Sequence, residues 1–202
     1  MNTDKIVLIA GKGPSLRYVR RGESYEVAAL NTASEFCEHI DYLFINDFRE
    51  FDRQDMKVWD RVKNLIIPTY PHGVGFIPQA NMSHHIITDL LPAHIVVHLH
   101  ELETAPVKDK SIDRFGPVAT VGETAVAWLL VRGFRKFLSV GLDPDTCAYH
   151  KDFMAKGHKP TSYGDSWRGI QRRLAEVKSA TIKRLTIPEG MNVDDGIITG
   201  AL

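Results

Sequence analysis

Lys5 is followed by the unbroken apolar run Ile6-Val7-Leu8-Ile9-Ala10, which stops at Gly11-Lys12-Gly13-Pro14-Ser15-Leu16. A short run rich in Ile and Val, closed by glycines, reads as a strand buried on both faces, the kind found in parallel sheets. The glycines predict a sharp turn and let a ligand approach the backbone. Pro14 fits the first position of a helix or of a single helical turn, where its missing N–H costs nothing. Strand, tight turn and helix start together make an anion site suited to phosphate, from free N–H groups and the positive end of a helix dipole. Leu16 stands where a third glycine would complete G-x-G-x-x-G, so a dinucleotide fingerprint is absent, and no Walker A spacing follows. The simpler alternative is a strand-to-helix turn without a ligand.

The same alternation of apolar runs and helical stretches continues along the chain. Further strands are expected at 26–30, 41–45, 64–68, 94–100, 137–140 and 184–188. The second ends at Asn31 and the third at Asn46-Asp47. Asparagine at a strand end suits a turn, because its side chain bonds its own backbone, and equally suits reading a ribose or base edge. Brief helices are expected over 33–39 and, irregularly, 48–62. Val118 to Gly133 reads as a buried helix, with Thr120 and Glu123 as a capping box and Gly133 as its left-handed end. Ser166 to Ile182 reads as amphipathic, carrying Trp167, Ile170, Leu174 and Val177 on one face. His94, His98 and His100 share a face if 94–100 is a strand, yet no carboxylate or cysteine motif accompanies them. Thr69 to Ile87 is a long excursion over the surface or the site, of the kind that is a functional lid or a disordered segment.

This order predicts one α/β domain over 1–202, a Rossmann-like three-layer sandwich around a mostly parallel sheet of about six to seven strands. Residues 144–165 would form an active-site loop or lid, and 189–202 a loose tail. Lys plus Arg equal Asp plus Glu at 25 each, so no electrostatic pull toward nucleic acid is indicated. No stretch approaches the roughly 18 apolar residues of a membrane span. Cys37 and Cys147 lack metal-ligand spacing and suggest a reducing cytoplasm.

The turn Gly11 to Leu16 resembles the G-x-G-P-S-L element of bacterial family 42 sialyltransferases. The same element occurs in the related domain-of-unknown-function 115 group, which includes flagellin-modification accessory factors and an archaeal-type hydroxymethyldihydropterin pyrophosphokinase. Asn31 and Asn46 fall where those sialyltransferases place two asparagines near a CMP-linked sugar. Ala119-Thr120-Val121-Gly122-Glu123 through Gly141-Leu142-Asp143 is similar to their T-S-G helix and following strand ending G-I-D. The likeness covers residues 5–52 and 118–143 and is patchy elsewhere. It departs at Val121, where the family has serine, and at Tyr163-Gly164-Asp165-Ser166, which holds no histidine where the family keeps its catalytic base.

The resemblance implies a nucleotide-sugar-dependent glycosyltransferase acting on a glycan or other hydroxyl acceptor, with no cofactor. Gly11, Lys12, Gly13, Pro14, Ser15, Asn31, Asn46, Gly122 and Gly141 would hold the nucleotide, and Asp143 would floor the sugar site. His150 or His158 would act as base near neutral pH, or Asp165 in their place. Two alternatives stand beside it. One is a pyrophosphokinase-like enzyme holding Mg²⁺ on Asp143 and Asp145. The other is a non-catalytic nucleotide-binding accessory protein. An oligomer rests on analogy alone.

Overall fold

A computed structural model of the chain describes residues 4–22, 24–47, 50–51, 53–68, 91–102, 113–115, 120–158 and 163–185. The Thr69 to Ile87 excursion, residues 159–162 and the 189–202 tail lie outside the described residues.

The strands are β1 (Ile6–Ala10), β2 (Tyr25–Leu30), β3 (Ile40–Phe44), β4 (Val62–Pro68), β5 (Val96–Leu102), β6 (Asp113–Phe115), β7 (Lys136–Val140) and β8 (Thr181–Arg184). They form one eight-stranded sheet in the order β6-β5-β4-β3-β2-β1-β7-β8. Every pairing is parallel. From β1 the chain winds outward through β2 to β6, then returns to β1's other side as β7 and β8. The strand order therefore reverses between β1 and β7, the point where open α/β sheets form a crevice at their carboxyl edge.

Period-two burial explains the three layers. Val7 and Ile9 of β1 join Ala28, Leu30, Phe44 and Ile66 against α2 (Val121–Val131) and Ile170 of α4 (Tyr163–Ala175). Leu8 and Ala10, one residue out of phase, join Val27, Ala29, Leu43 and Leu65 on the opposite face. That face is covered by a 3₁₀ turn (Asn31–Phe36), α1 (Met56–Trp59) and α3 (Lys151–Ala155). With both faces buried, the strands carry continuous apolar runs instead of polar alternation. The α2 C-terminus closes as a Schellman motif: Gly133 N–H donates to Leu130 O at 3.0 Å and Phe134 N–H to Leu129 O at 3.1 Å, with Gly133 at φ 92°.

Several local expectations change. Of the two expected exits from the glycine turn, the single turn occurs and no longer helix follows. Pro14 to Leu16 makes one bend, closed by Leu16 N–H on Gly13 O at 2.9 Å, and Val19 then bridges to Cys37 in parallel. The sheet has one strand beyond the expected range because Asp113-Arg114-Phe115 is too short to show a period. Strand β8 begins at Thr181, not at 184, because α4 stops at Ala175 and Ser179 adopts φ 87°, turning the chain early. The helix expected over 48–62 is interrupted: Glu50 and Phe51 are helical, and a separate short helix covers Met56–Trp59. His94 precedes β5, so it leaves the face of His98 and His100; His98 bonds Asn64 Oδ1 at 3.0 Å and meets Trp128 edge-on. Among the described residues no group of three or more His, Cys, Asp or Glu could hold a metal ion. No helix among them is long and apolar enough to cross a membrane.

Candidate functional site

At the switch point the chain's own loops are zipped together. Gly11 N–H donates to Val140 O at 2.8 Å, and Gly13 N–H to Gly141 O at 2.7 Å, extending the β1–β7 ladder beyond both strands. A Cβ on Gly11 would stand 2.4 Å from Gly141 O, and one on Gly13 only 2.3 Å from Asp143 Oδ2. Asp143 accepts from Ser15 N–H at 2.9 Å through Oδ2 and from Ser15 Oγ at 2.6 Å through Oδ1. Ser15 Oγ in turn accepts from Gly141 N–H at 2.8 Å. The N–H groups of Gly11, Gly13, Ser15 and Leu16 are thus bonded inside the protein, and a carboxylate already occupies the place by Ser15 that a phosphate would take. The glycines answer to the close approach of two strand ends. Pro14 lies half-buried in the same turn.

Unused polar atoms lie one and two strands away. Asn31 follows β2 directly and adopts φ 52°, a left-handed conformation that asparagine tolerates. Its Oδ1 is buried without a hydrogen-bond partner, and so is Oδ1 of Asn46, just beyond β3. Asn46 Nδ2 donates to Thr124 Oγ1 at 2.8 Å, and Thr124 Oγ1 donates to Thr120 O at 3.3 Å. This chain fixes which side of the amide is left over. A buried acceptor without a donor costs about 1–3 kcal/mol. Two of them at the carboxyl ends of paired strands mark a place where a ligand's O–H or N–H groups would be welcomed.

Beside them stands the start of α2. Thr120 is its N-cap, with Oγ1 accepting from Glu123 N–H at 3.3 Å. This is the Thr120 half of the capping box, and the Glu123 side chain has a second task. It is fully buried and bonds Arg172 and, at 3.2 Å, Arg173 of α4, tying the two helices. Gly122 is close-packed: a Cβ there would lie 2.9 Å from Ser166 Oγ and 3.6 Å from Leu30 Cδ1. Thr120 Oγ1 and Ser166 Oγ are 2.9 Å apart.

On the other face of the same edge, Lys12 is buried and forms a 3.0 Å ion pair with Glu50 Oε2. Thr32 Oγ1 donates to the same oxygen at 3.2 Å, and Arg53 Nη1 donates to Oε1 at 2.9 Å. Lys12 Nζ also lies 4.8 Å from the centroid of the Tyr149 ring. Burial alone would raise the Glu50 pKa, but the Lys12 ammonium and Arg53 guanidinium more than offset it and hold the carboxyl below its usual range. Glu50, Arg53, Thr32 and Tyr149 were not singled out in the sequence. Glu50 and Arg53 sit in a charged stretch, and nothing local says that Glu50 folds onto a lysine 38 residues earlier.

The two histidines differ in kind. His150 is the N-cap of α3, its Nδ1 accepting from Asp152 N–H at 3.4 Å, its N–H donating to Lys12 O at 2.7 Å, and its ring edge-on to Phe36. It is buried structure, not a free loop residue. His158 follows α3, with its ring tilted against Phe153 and Nδ1 buried without a partner. Burial, with Lys12 and Arg53 nearby, holds its pKa below the ordinary value, so its imidazole is neutral at pH 7. Asp165 belongs to α4 by its backbone, and its side chain lies outside the described residues. Asp145 is exposed and pairs with Arg184 Nη1 at 3.0 Å. With both Asp143 oxygens held by Ser15, neither carboxylate of Asp143-Pro144-Asp145 is left without a cationic or hydrogen-bonding partner.

No family model, curated protein or solved structure matches the chain.

Proposed function

We propose that the chain is a glycosyltransferase that takes a sugar from a nucleotide-linked donor, CMP-linked by resemblance, and passes it to a hydroxyl acceptor. The observation that carries the reading is the pair of buried, partnerless acceptors, Asn31 Oδ1 and Asn46 Oδ1, at neighbouring strand ends beside the switch point. Ribose hydroxyls or a base amino group would supply the missing donors. The start of α2, at Val121 and Gly122, offers first-turn N–H groups to an anion. In the reaction an acceptor O–H attacks the anomeric carbon. The carbon–oxygen bond to the nucleotide breaks, its electron pair leaves on the phosphate oxygen, and the acceptor proton passes to His158. A ring nitrogen without a partner favours His158 over His150, whose Nδ1 is taken by the Asp152 N–H, for that task. In this reading Ser15 and Asp143 brace the site and do not touch the reacting atoms. Both cysteines are free, in keeping with a cytoplasmic enzyme.

One observation favours a second reading, a nucleotide-binding protein without turnover: the glycine-turn N–H groups and Lys12 are already paired inside the chain. Incubation with CMP-, UDP- and GDP-linked sugars separates the two. Release of nucleotide from one donor, unaffected by EDTA and reduced about 100-fold or more in a folded His158→Gln variant, supports transfer. Binding without release supports the accessory role.

A further inference from the structure

We propose that the N-cap of α3 is a proton-operated switch, in which His150 holds the Asp152 N–H through an unprotonated Nδ1 and turns to the Asp152 carboxylate once that nitrogen is protonated. The first N–H groups of a helix have no partner within it, and a side-chain acceptor at the N-cap usually supplies one. In α3 that acceptor is a ring nitrogen: His150 Nδ1 takes the Asp152 N–H at 3.4 Å. The usual caps, Ser, Thr, Asp and Asn, keep their acceptor near neutral pH, whereas an imidazole loses it on taking up a proton. His150 is only 5% exposed and its ring stands edge-on to Phe36, so it cannot swing into water without breaking that packing. A second partner is already in place. Asp152 Oδ2 lies 3.9 Å from the same Nδ1, about one ångström beyond hydrogen-bonding distance. One residue therefore offers the ring a donor, its backbone N–H, and an acceptor, its carboxylate, and Nδ1 serves one at a time.

The charged groups on the elements packed against the ring, among the described residues, come from three places. Lys151 and Asp152 follow it on α3, Lys12 lies in the β1 turn with its ammonium on Glu50, and Glu35 of the 3₁₀ turn pairs with Lys156. The backbone of His150 carries the change further. Its N–H donates to Lys12 O at 2.7 Å, and its carbonyl accepts from Phe153 N–H at 3.0 Å and from Met154 N–H at 3.2 Å. The residue that caps α3 thus also clasps the glycine turn after β1, and releasing the cap loosens that clasp. The inference invokes no ligand and stands apart from the glycosyltransferase reading.

The test is NMR of the full chain across pH. Imidazole nitrogen shifts show which ring nitrogen carries the proton, and hydrogen exchange at the Asp152 amide, corrected for its intrinsic pH dependence, shows whether the cap holds. The neutral ring should carry its proton on Nε2, leaving Nδ1 as the acceptor. As Nδ1 takes up its proton, exchange at the Asp152 amide should speed up roughly fivefold or more, the loss of one cap. Asp152→Asn keeps the N–H but removes the charge, and should lower the midpoint of the ring's titration. His150→Asn, a cap that does not titrate, should keep the amide protected over the same range with α3 intact. The proposal is overturned by a neutral ring protonated on Nδ1, or by a ring that never titrates while the chain is folded. It is equally overturned by an Asp152 amide indifferent to the ring's charge, by a midpoint unmoved in Asp152→Asn, or by the same loss of protection in His150→Asn.

Discussion

Replacing Gly141 by alanine separates two explanations of the glycine turn, strand-end packing and ligand approach. A Cβ at Gly141 would stand 2.0 Å from Gly11 O and 3.1 Å from Leu16 Cβ, on a backbone at φ 66°. The left-handed conformation costs an alanine about 1 kcal/mol. Relieving contact with backbone that is itself hydrogen-bonded adds about 2 kcal/mol, as overpacking does in cores. The sum, about 3 kcal/mol, lowers Tm by roughly 6–12 °C in a chain of this size. Gly157 supplies the control. It has φ 76° but nothing within 4 Å of its would-be Cβ, so Gly157→Ala should lose only about 1 kcal/mol, roughly 2–4 °C. Urea denaturation and calorimetry of the three proteins, without ligand, measure the difference. Equal losses in both variants, or a Gly141→Ala protein as stable as the parent, would refute the packing explanation and return the glycines to the ligand.

Asp143→Ala should cost about 3 kcal/mol by removing two charge-assisted hydrogen bonds to Ser15, and Asp143→Asn about half as much, in urea denaturation. Glu50 and Asp41 both hold folded pKa values below their unfolded ones, despite burial that works the other way. Their stabilisation is complete above pH of about 4.5 and is lost as pH falls through the lower folded values; Glu50→Gln should flatten part of that acid slope in denaturation curves. His158 adds a rise in stability on the alkaline side of its folded pKa, complete above about pH 6.5, which His158→Gln should remove. Cys37 is buried, with its thiol pushed up to about 12 chiefly by burial, whereas Cys147 is exposed; a thiol reagent should label Cys147 promptly and Cys37 only on unfolding.

The sheet was legible because parallel strands buried on both faces write themselves as apolar runs. Ile6 to Ala10 and Phe137 to Val140 were readable from residue type alone. Strand β6 was not, since three residues ending on Phe115 have no period. The second task of the capping-box glutamate lies outside its own segment and was not readable there: Arg172 and Arg173 of α4 bond the Glu123 carboxylate. The glycine turn was read correctly as a sharp strand exit, but its partner across the sheet was not foreseeable. Gly13 N–H on Gly141 O and Ser15 on Asp143 are contacts more than a hundred residues apart, which only the β1–β7 pairing brings together. The strand-end positions of Asn31 and Asn46 are legible in the sequence, whereas the burial of their unpaired Oδ1 atoms depends on the packing around them.

The most direct measurement is a calorimetric titration of the full chain with CMP, UDP, GDP and ATP, with and without Mg²⁺. One nucleotide should bind saturably without metal, and Asn31→Ala and Asn46→Ala should each weaken it about tenfold or more, the loss of roughly one buried hydrogen bond. Absence of binding by all four, or binding unchanged in both variants, would contradict a nucleotide site at the carboxyl ends of β2 and β3.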